Sequence, residues 1–261
     1  MAERQDWPFP YLLAASRTSI RCVPIDRARI GLISPGDSRV MEEEWSLVTP
    51  PGTTYLITSL MVESVTVAAL EKIIGHVERA AKELALAGAQ VIIQGGTPVS
   101  FLKGYGWDKE ITARIAAATG LLATTMATAV VDSLRELAIR KVAVATAYSE
   151  PVNQVLQKFL TDSGFQVPGL KGLNKTRPAD IGALTSDIPY ELAKEVYSEA
   201  PEADGIFVSC GNMRGLDFID RLEQEIGKPV TTSNQAAVRA ALKLAGVWQP
   251  VQGYGRLLEM A

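Results

Sequence analysis

The sequence predicts an α/β fold of two similar units, each a parallel sheet flanked by helices, with a cleft between them. Three observations carry this. Short apolar runs alternate with longer stretches whose apolar residues recur at helical spacing, the pattern of strands and their covering helices. The strand-like runs are apolar throughout, as expected when both faces of a parallel sheet are buried. The chain also echoes itself coarsely. Residues 90–97 and 205–211 both read as strands ending in a small-residue turn, and the helices after them lead to Thr124-Thr125 and Thr231-Thr232. Two such units facing each other bring the Gly96 and Cys210 turns together.

In chain order, residues 1–28 read as an N-terminal extension with Trp7, Pro8 and Pro10, poorly patterned for a core element and suited to pack on the body or a partner chain. Residues 29–34, Arg-Ile-Gly-Leu-Ile-Ser, are a first buried strand closed by Pro35, Gly36, Asp37 and Ser38. Residues 55–60 are the second strand. Residues 66–86 form an amphipathic helix with Leu70, Ile73, Ile74, Val77 and Ala81 on one face, stopped by Gly88. His76 lies beside that face and reads as structural rather than catalytic. Residues 89–94 are the third strand, ending in Gly95-Gly96-Thr97-Pro98, followed by a helix over 107–119, a strand-like link over 121–124 and a helix over 127–137.

The first lobe is therefore 29–138. The second, 139–245, opens with a strand over 141–147 that ends at Tyr148. A helix over 152–163, a strand or loop over 166–173 and a helix over 188–199, with Pro189 allowed in its first turn, come next. The strand 206–209 ends in Cys210-Gly211, a helix is expected over 216–226, and residues 228–232 and 234–244 supply the last strand and helix. The tail, 246–261, contains Gly-Tyr-Gly-Arg-Leu at 253–257 and is expected to pack back on the first lobe.

Cys210 is the stretch's chemical signal. It lies at the carboxyl end of a strand, the edge at which open α/β sheets bind ligands, where free N–H groups and a helix dipole favour negative charge and can lower a thiol pKa. Equally, a free cysteine is often a small buried hydrophobe, and local sequence leaves both readings open.

Composition narrows the class. Of 261 residues, 47 % are hydrophobic and 21 % charged, as in a globular enzyme with a substantial core. The net charge is −3 with no basic block, which argues against nucleic acid. No apolar run is long enough to span a membrane, and the N-terminus lacks the form of a signal peptide. Two cysteines, Cys22 and Cys210, make no disulfide framework, so a reducing, cytoplasmic setting is expected. One histidine and no cysteine pair give no zinc ligand set, and Gly-Tyr-Gly at 104–106 lacks the spacing of a phosphate-binding loop. No metal and no cofactor are expected.

Several blocks together resemble one superfamily: residues 29–35, 96–101, 124–129, 144–148, 209–211 and 253–257. They are similar to the aspartate/glutamate racemase superfamily, and within it to the branch of arylmalonate decarboxylases and maleate isomerases. The resemblance implies two pseudo-symmetric α/β lobes with a cofactor-free site between them. Racemases and isomerases of the superfamily carry a cysteine at the end of each facing strand. Here only Cys210 is present, and the first position falls on Gly96, the decarboxylase pattern. Carried over, Thr97 and Tyr148 would donate to a substrate carboxylate, the turn at Gly211 and Asn212 would complete an oxyanion cradle, and Pro35, Gly36 and Pro98 would line the pocket. Pro98 stands where the decarboxylase has a hydroxyl residue and supplies neither O–H nor N–H. Residues 210–214 and 233–236 look more like maleate isomerase, with Arg214 as a candidate clamp for a second carboxylate.

The expected activity is decarboxylation of a substituted malonate. The donors hold the developing enediolate, the other carboxylate faces an apolar wall of Leu32, Val99 and Ile181, and neutral Cys210 delivers a proton. The alternatives are a maleate-type isomerase or racemase-like enzyme using a Cys210 thiolate, and a non-catalytic small-acid binder on the same fold. The expected partner is a small carboxylate or dicarboxylate, with room for a homo-oligomer.

Overall fold

The computed structural model describes residues 27–37 and 39–261, so most of the N-terminal extension, Cys22 and Ser38 lie outside the described residues. The first lobe runs β1 (Ala28–Pro35), α1 (Arg39–Val48), β2 (Thr53–Leu60), α2 (Val67–Ile74), α3 (Val77–Leu86), β3 (Val91–Gln94), α4 (Thr97–Phe101), α5 (Trp107–Thr119), β4 (Leu122–Thr125) and α6 (Met126–Glu136). The second runs β5 (Lys141–Thr146), α7 (Glu150–Asp162), β6 (Gln166–Gly172), α8 (Pro178–Gly182), α9 (Asp187–Glu199), β7 (Gly205–Ser209), α10 (Ile219–Ile226), β8 (Val230–Thr232), α11 (Ser233–Leu244) and α12 (Arg256–Glu259).

Each lobe holds a four-stranded parallel sheet, in the orders β2-β1-β3-β4 and β6-β5-β7-β8. These are the same order in the same chain sense, so the echo read in the sequence is a structural repeat. In both sheets the inner pair, β1–β3 and β5–β7, is where chain direction across the sheet reverses. That switch point leaves a crevice at the strand ends. β3 and β7 are buried at every residue, which is why their sequences show no alternation. The repeat extends to the helix caps. Thr125 accepts from the Thr128 N–H (3.1 Å) at the start of α6, and Thr232 accepts from the Gln235 N–H (3.0 Å) at the start of α11.

The lobes share a core. One continuous apolar cluster contains Ile30, Leu32 and Ile93 of the first sheet together with Val144 and Phe207 of the second. A separate cluster, including Ile33, Leu70 and Ile92, fills the outer face of the first sheet. Helices α6 and α11 pack on each other, and α1 packs on α11.

The structure departs from the sequence reading in several elements. The helix expected over 66–86 is two: Gly75 ends α2 and exposed His76 precedes α3. Helices α1, α4, α8 and α12 were not expected. In α1, Met41, Trp45 and Val48 are buried at helical spacing, but the adjacent run Glu42-Glu43-Glu44 hides that pattern. Helix α10 begins at Ile219, so its amino end does not follow directly on Cys210. The tail, expected on the first lobe, docks on the second-lobe elements α11 and β8, with the Arg256 N–H on Glu223 of α10 (2.9 Å). On β6 the pairing slips by a residue between Lys141 and Ala143. That bulge admits Pro168 on an edge strand, where a missing N–H costs little.

Candidate active site

A cavity opens at the carboxyl ends of the four inner strands. β1 supplies Ser34 and Pro35, β3 leads to Gly96, β5 to Tyr148 and β7 to Cys210. Most of the wall is apolar, formed by Met41, Val62, Val65, Leu70, Val99 and Ile181. Among the described residues, no lysine, arginine or histidine lines it. What this lining offers an anion is neutral hydrogen-bond donors.

Cys210 is 8 % exposed. Burial pushes its thiol up to about 11, opposed by the nearby Asn212 N–H and Tyr148 hydroxyl, which favour the thiolate. The lowered pKa that the strand end allowed is thus not realised: desolvation outweighs the donors, and the expected helix dipole is displaced to Ile219. At neutral pH the sulfur carries its proton.

Tyr148 is fully buried. Burial raises its pKa well above the ordinary phenol value, and a charge on Cys210 would raise it further. It is an O–H donor at any physiological pH. Its oxygen accepts from Ser209 Oγ (3.3 Å) and also interacts with Thr97 and Cys210. The ring is held edge-on by Phe101, 6.3 Å away. Behind it, Thr146 Oγ1 donates to Asn153 (2.6 Å) and accepts from the Tyr148 N–H (3.1 Å), which fixes the strand end.

Pro35, Gly96, Pro98, Tyr148, Cys210, Gly211 and Asn212 all line the one cavity. Thr97 stands behind it: the hydroxyl is paired with Ser233 Oγ (2.8 Å), faces Met126 Sδ (3.1 Å) and reaches the site through Tyr148. Gly36 is outside the lining too, its neighbours Pro35 and Asp37 being the wall residues. Of the expected apolar wall, Val99 and Ile181 are in place, whereas Leu32 sits one layer back, against Gly95. Pro98 occupies the first turn of α4, where a missing N–H breaks no bond. Arg214 pairs with Glu43 and lines a different groove, with Leu47 and Asp217, so it does not reach the cavity. Asp37, at the cavity edge, is held below the usual carboxylate range chiefly by the Arg39 guanidinium (2.8 Å).

Sequence reasoning missed Ser34, Met41, Val62, Val65 and Pro178, which reach the cavity only through the fold. Among the described residues, no group of three or more histidine, cysteine or acidic side chains is placed to hold a metal ion. Nor is any helix there long and apolar enough to cross a membrane.

Two like lobes thus share an apolar cavity lined by a buried thiol and by a glycine at the matching strand end. Residues 30–258 match the arylmalonate decarboxylase family, and the chain belongs to it. It is 33 % identical over 231 residues to arylmalonate decarboxylase of Bordetella bronchiseptica, covering 88 % of this chain and 96 % of that protein. It is 26 % identical over 240 residues to maleate isomerase of Nocardia farcinica, covering 88 % and 95 %. Among solved structures it is similar to a glycine-to-cysteine, cysteine-to-serine double variant of arylmalonate decarboxylase in its liganded form. There the TM-score is 0.84 at 32 % identity, with 88 % of this chain and 98 % of that one covered. Maleate isomerase from Pseudomonas putida S16 superposes with a TM-score of 0.82 at 25 % identity, covering 89 % and 98 %. The relatives named are enzymes, a decarboxylase and isomerases.

Proposed function

We propose that this chain decarboxylates small substituted malonates without a metal or organic cofactor, with Cys210 as the proton donor. The observation that carries the proposal is the one-sidedness of the cavity. A protonated thiol faces it from β7. Opposite, Gly96 has no side chain, and a Cβ there would lie 2.2 Å from Pro35 Cγ.

One malonate carboxylate rests on the Tyr148 hydroxyl and the N–H groups of the Gly211 turn. Thr97 supports Tyr148 from behind. The other carboxylate lies against Val62, Val65, Val99 and Ile181, where it is poorly solvated. Its C–C bond breaks, CO₂ leaves, and the electron pair passes into the enediolate of the remaining carboxylate, where the donors stabilise the new charge. Cys210 then transfers its proton to the α-carbon, and the sulfur regains a proton from water. An isomerase mechanism needs a thiolate that adds to a double bond, and both the burial of Cys210 and the diversion of Arg214 to Glu43 weigh against it.

The test is incubation in heavy water with a panel of substituted malonates, maleate and a hydantoin, followed by NMR and chiral chromatography. The expected result is loss of CO₂ from a malonate, with one deuterium at the α-carbon of a single enantiomer. Conversion of maleate to fumarate with the malonates untouched would establish the isomerase instead. Binding of a malonate without turnover would leave only a small-acid binder.

A further inference from the structure

Glu44 is a buried carboxylate that this chemistry does not use. It lies in α1, only 5 % exposed, and burial pushes its pKa up. The nearby Arg214 pairs with Glu43, and Asp217 opposes the charge. Such a group is costly to bury, and an apolar residue of similar size often serves stability better. Its partners show another use. Glu44 accepts from the N–H groups of Gly215 (2.6 Å) and Leu216 (3.0 Å), and from Asn234 Nδ2 (2.6 Å). These partners lie far along the chain, so the first lobe reaches across to the loop that follows Cys210.

Asn234 Nδ2 also donates to the Gly211 carbonyl (3.0 Å). That carbonyl belongs to the peptide joining Gly211 and Asn212. A trans peptide is planar, with its C=O and N–H pointing opposite ways. Holding the oxygen on one side aims the N–H on the other, and the Asn212 N–H is the backbone group whose influence lowers the Cys210 thiol against its burial. The Met213 N–H on the Cys210 carbonyl (3.2 Å) closes the turn. The orientation of the Asn234 amide depends on Glu44. A carboxylate only accepts, so it must meet Nδ2, and Asn234 Oδ1 has no hydrogen-bond partner of its own.

The geometry points to Glu44 and Asn234 as positioning residues for Cys210: Glu44 sets the Asn234 amide, Asn234 holds the Gly211 carbonyl, and the peptide between delivers its N–H to the sulfur. The consequence for turnover rests on the proton-donor role proposed above; the effect on the sulfur does not. As the thiol gives up its proton the sulfur becomes negative, and the N–H stabilises it. Without that donor Cys210 is a weaker acid.

The experiment uses the full chain with Cys22→Ser, so that iodoacetamide reads only Cys210. Glu44→Gln places an NH₂ group against Asn234, which turns the Asn234 oxygen toward the Gly211 carbonyl and releases the peptide. At about pH 9 the alkylation rate should fall about tenfold, the size of one hydrogen bond to a charged group. With a substituted malonate, kcat should fall by a similar factor while KM stays within about twofold. Asn234→Ala removes the same donor directly and should behave alike, which keeps the test available if Glu44→Gln does not fold. Unchanged alkylation in either folded variant overturns the inference. Slowed alkylation with unchanged turnover upholds the positioning of the sulfur and counts instead against Cys210 as the proton donor.

Discussion

At the end of β3 stand Gly95, Gly96, Thr97 and Pro98; at the matching end of β7 stand Cys210, Gly211 and Asn212. The strands occupy the same place in two sheets of identical order, and both ends are buried. They differ in what the backbone permits. Gly96 has φ +84°, a region that side chains rarely adopt, and the Pro35 ring fills the space a Cβ would need. Across the cavity, the Cys210 turn is braced by Asn234, and its sulfur meets an N–H and a hydroxyl. A repeated scaffold thus carries a thiol at one strand end and a glycine with no room for a side chain at the other. A racemase must take a proton from one side of a carbon and return it to the other, and at the two matching strand ends this cavity has a thiol at one, Cys210, and a glycine at the other.

The largest effect comes from removing the thiol. Cys210→Ala should lower kcat/KM for a substituted malonate at least ~100-fold, the usual range for a positioned acid, with the circular dichroism spectrum unchanged. Cys22→Ala should leave the rate as it is. An active Cys210→Ala enzyme would place the chemistry elsewhere.

Filling the glycine end should cost stability before it alters chemistry. Gly96→Cys puts a side chain at positive φ and into Pro35, so denaturant unfolding should show a loss of roughly 2–5 kcal/mol. Pro35→Ala in that background removes the atoms at 2.2 and 2.9 Å and should recover part of the loss. The double variant should then begin to racemise the product, as judged by chiral chromatography. Full stability in Gly96→Cys alone would show that the ring gives way.

A smaller effect separates the two ends by pH. Alkylation of Cys210 in a Cys22→Ser chain should rise with a midpoint at about 11. The folded pKa is raised from 9.0, so the folded state binds this proton more tightly than the unfolded chain. The resulting stability is complete below about pH 9 and is lost as pH climbs through about 11, at most ~3 kcal/mol. Cys210→Ser should flatten that decline in thermal unfolding. A midpoint near 7 would mean a thiolate at work and would revive the isomerase reading.

The smallest effect tests the sameness beneath the difference. Thr125→Ala and Thr232→Ala remove equivalent caps from α6 and α11, and each should cost ~1 kcal/mol. Markedly unequal losses would mean that the lobes differ in more than their strand ends.

Some of this was legible before any coordinates. Apolar runs without alternation imply parallel strands buried on both faces, and the spacing of Leu70, Ile73 and Ile74 implies a helix, because burial imposes those periods locally; the same periodicity ran on through Val77 and hid the break at Gly75. The echo between residues 90–97 and 205–211 pointed to two similar units, and the strand order they share came only with the structure. The blocks around Gly96, Tyr148 and Cys210 drew attention to strand ends that line one cavity, although Thr97 and Gly36 are not in its lining. What remained hidden depended on partners distant in the chain. The helix Arg39–Val48 was masked by its glutamates, and nothing near Glu44 in sequence says that it would be buried against residues 215, 216 and 234. Thr97 reads as a substrate contact in the sequence, whereas in the fold it lies behind the cavity wall, paired with Ser233, 136 residues away. The charge state of Cys210 was undecided for the same reason. A strand end favours a thiolate locally, but the desolvation that keeps the proton on sulfur comes from two lobes closing over it, and that term exists only in the folded molecule.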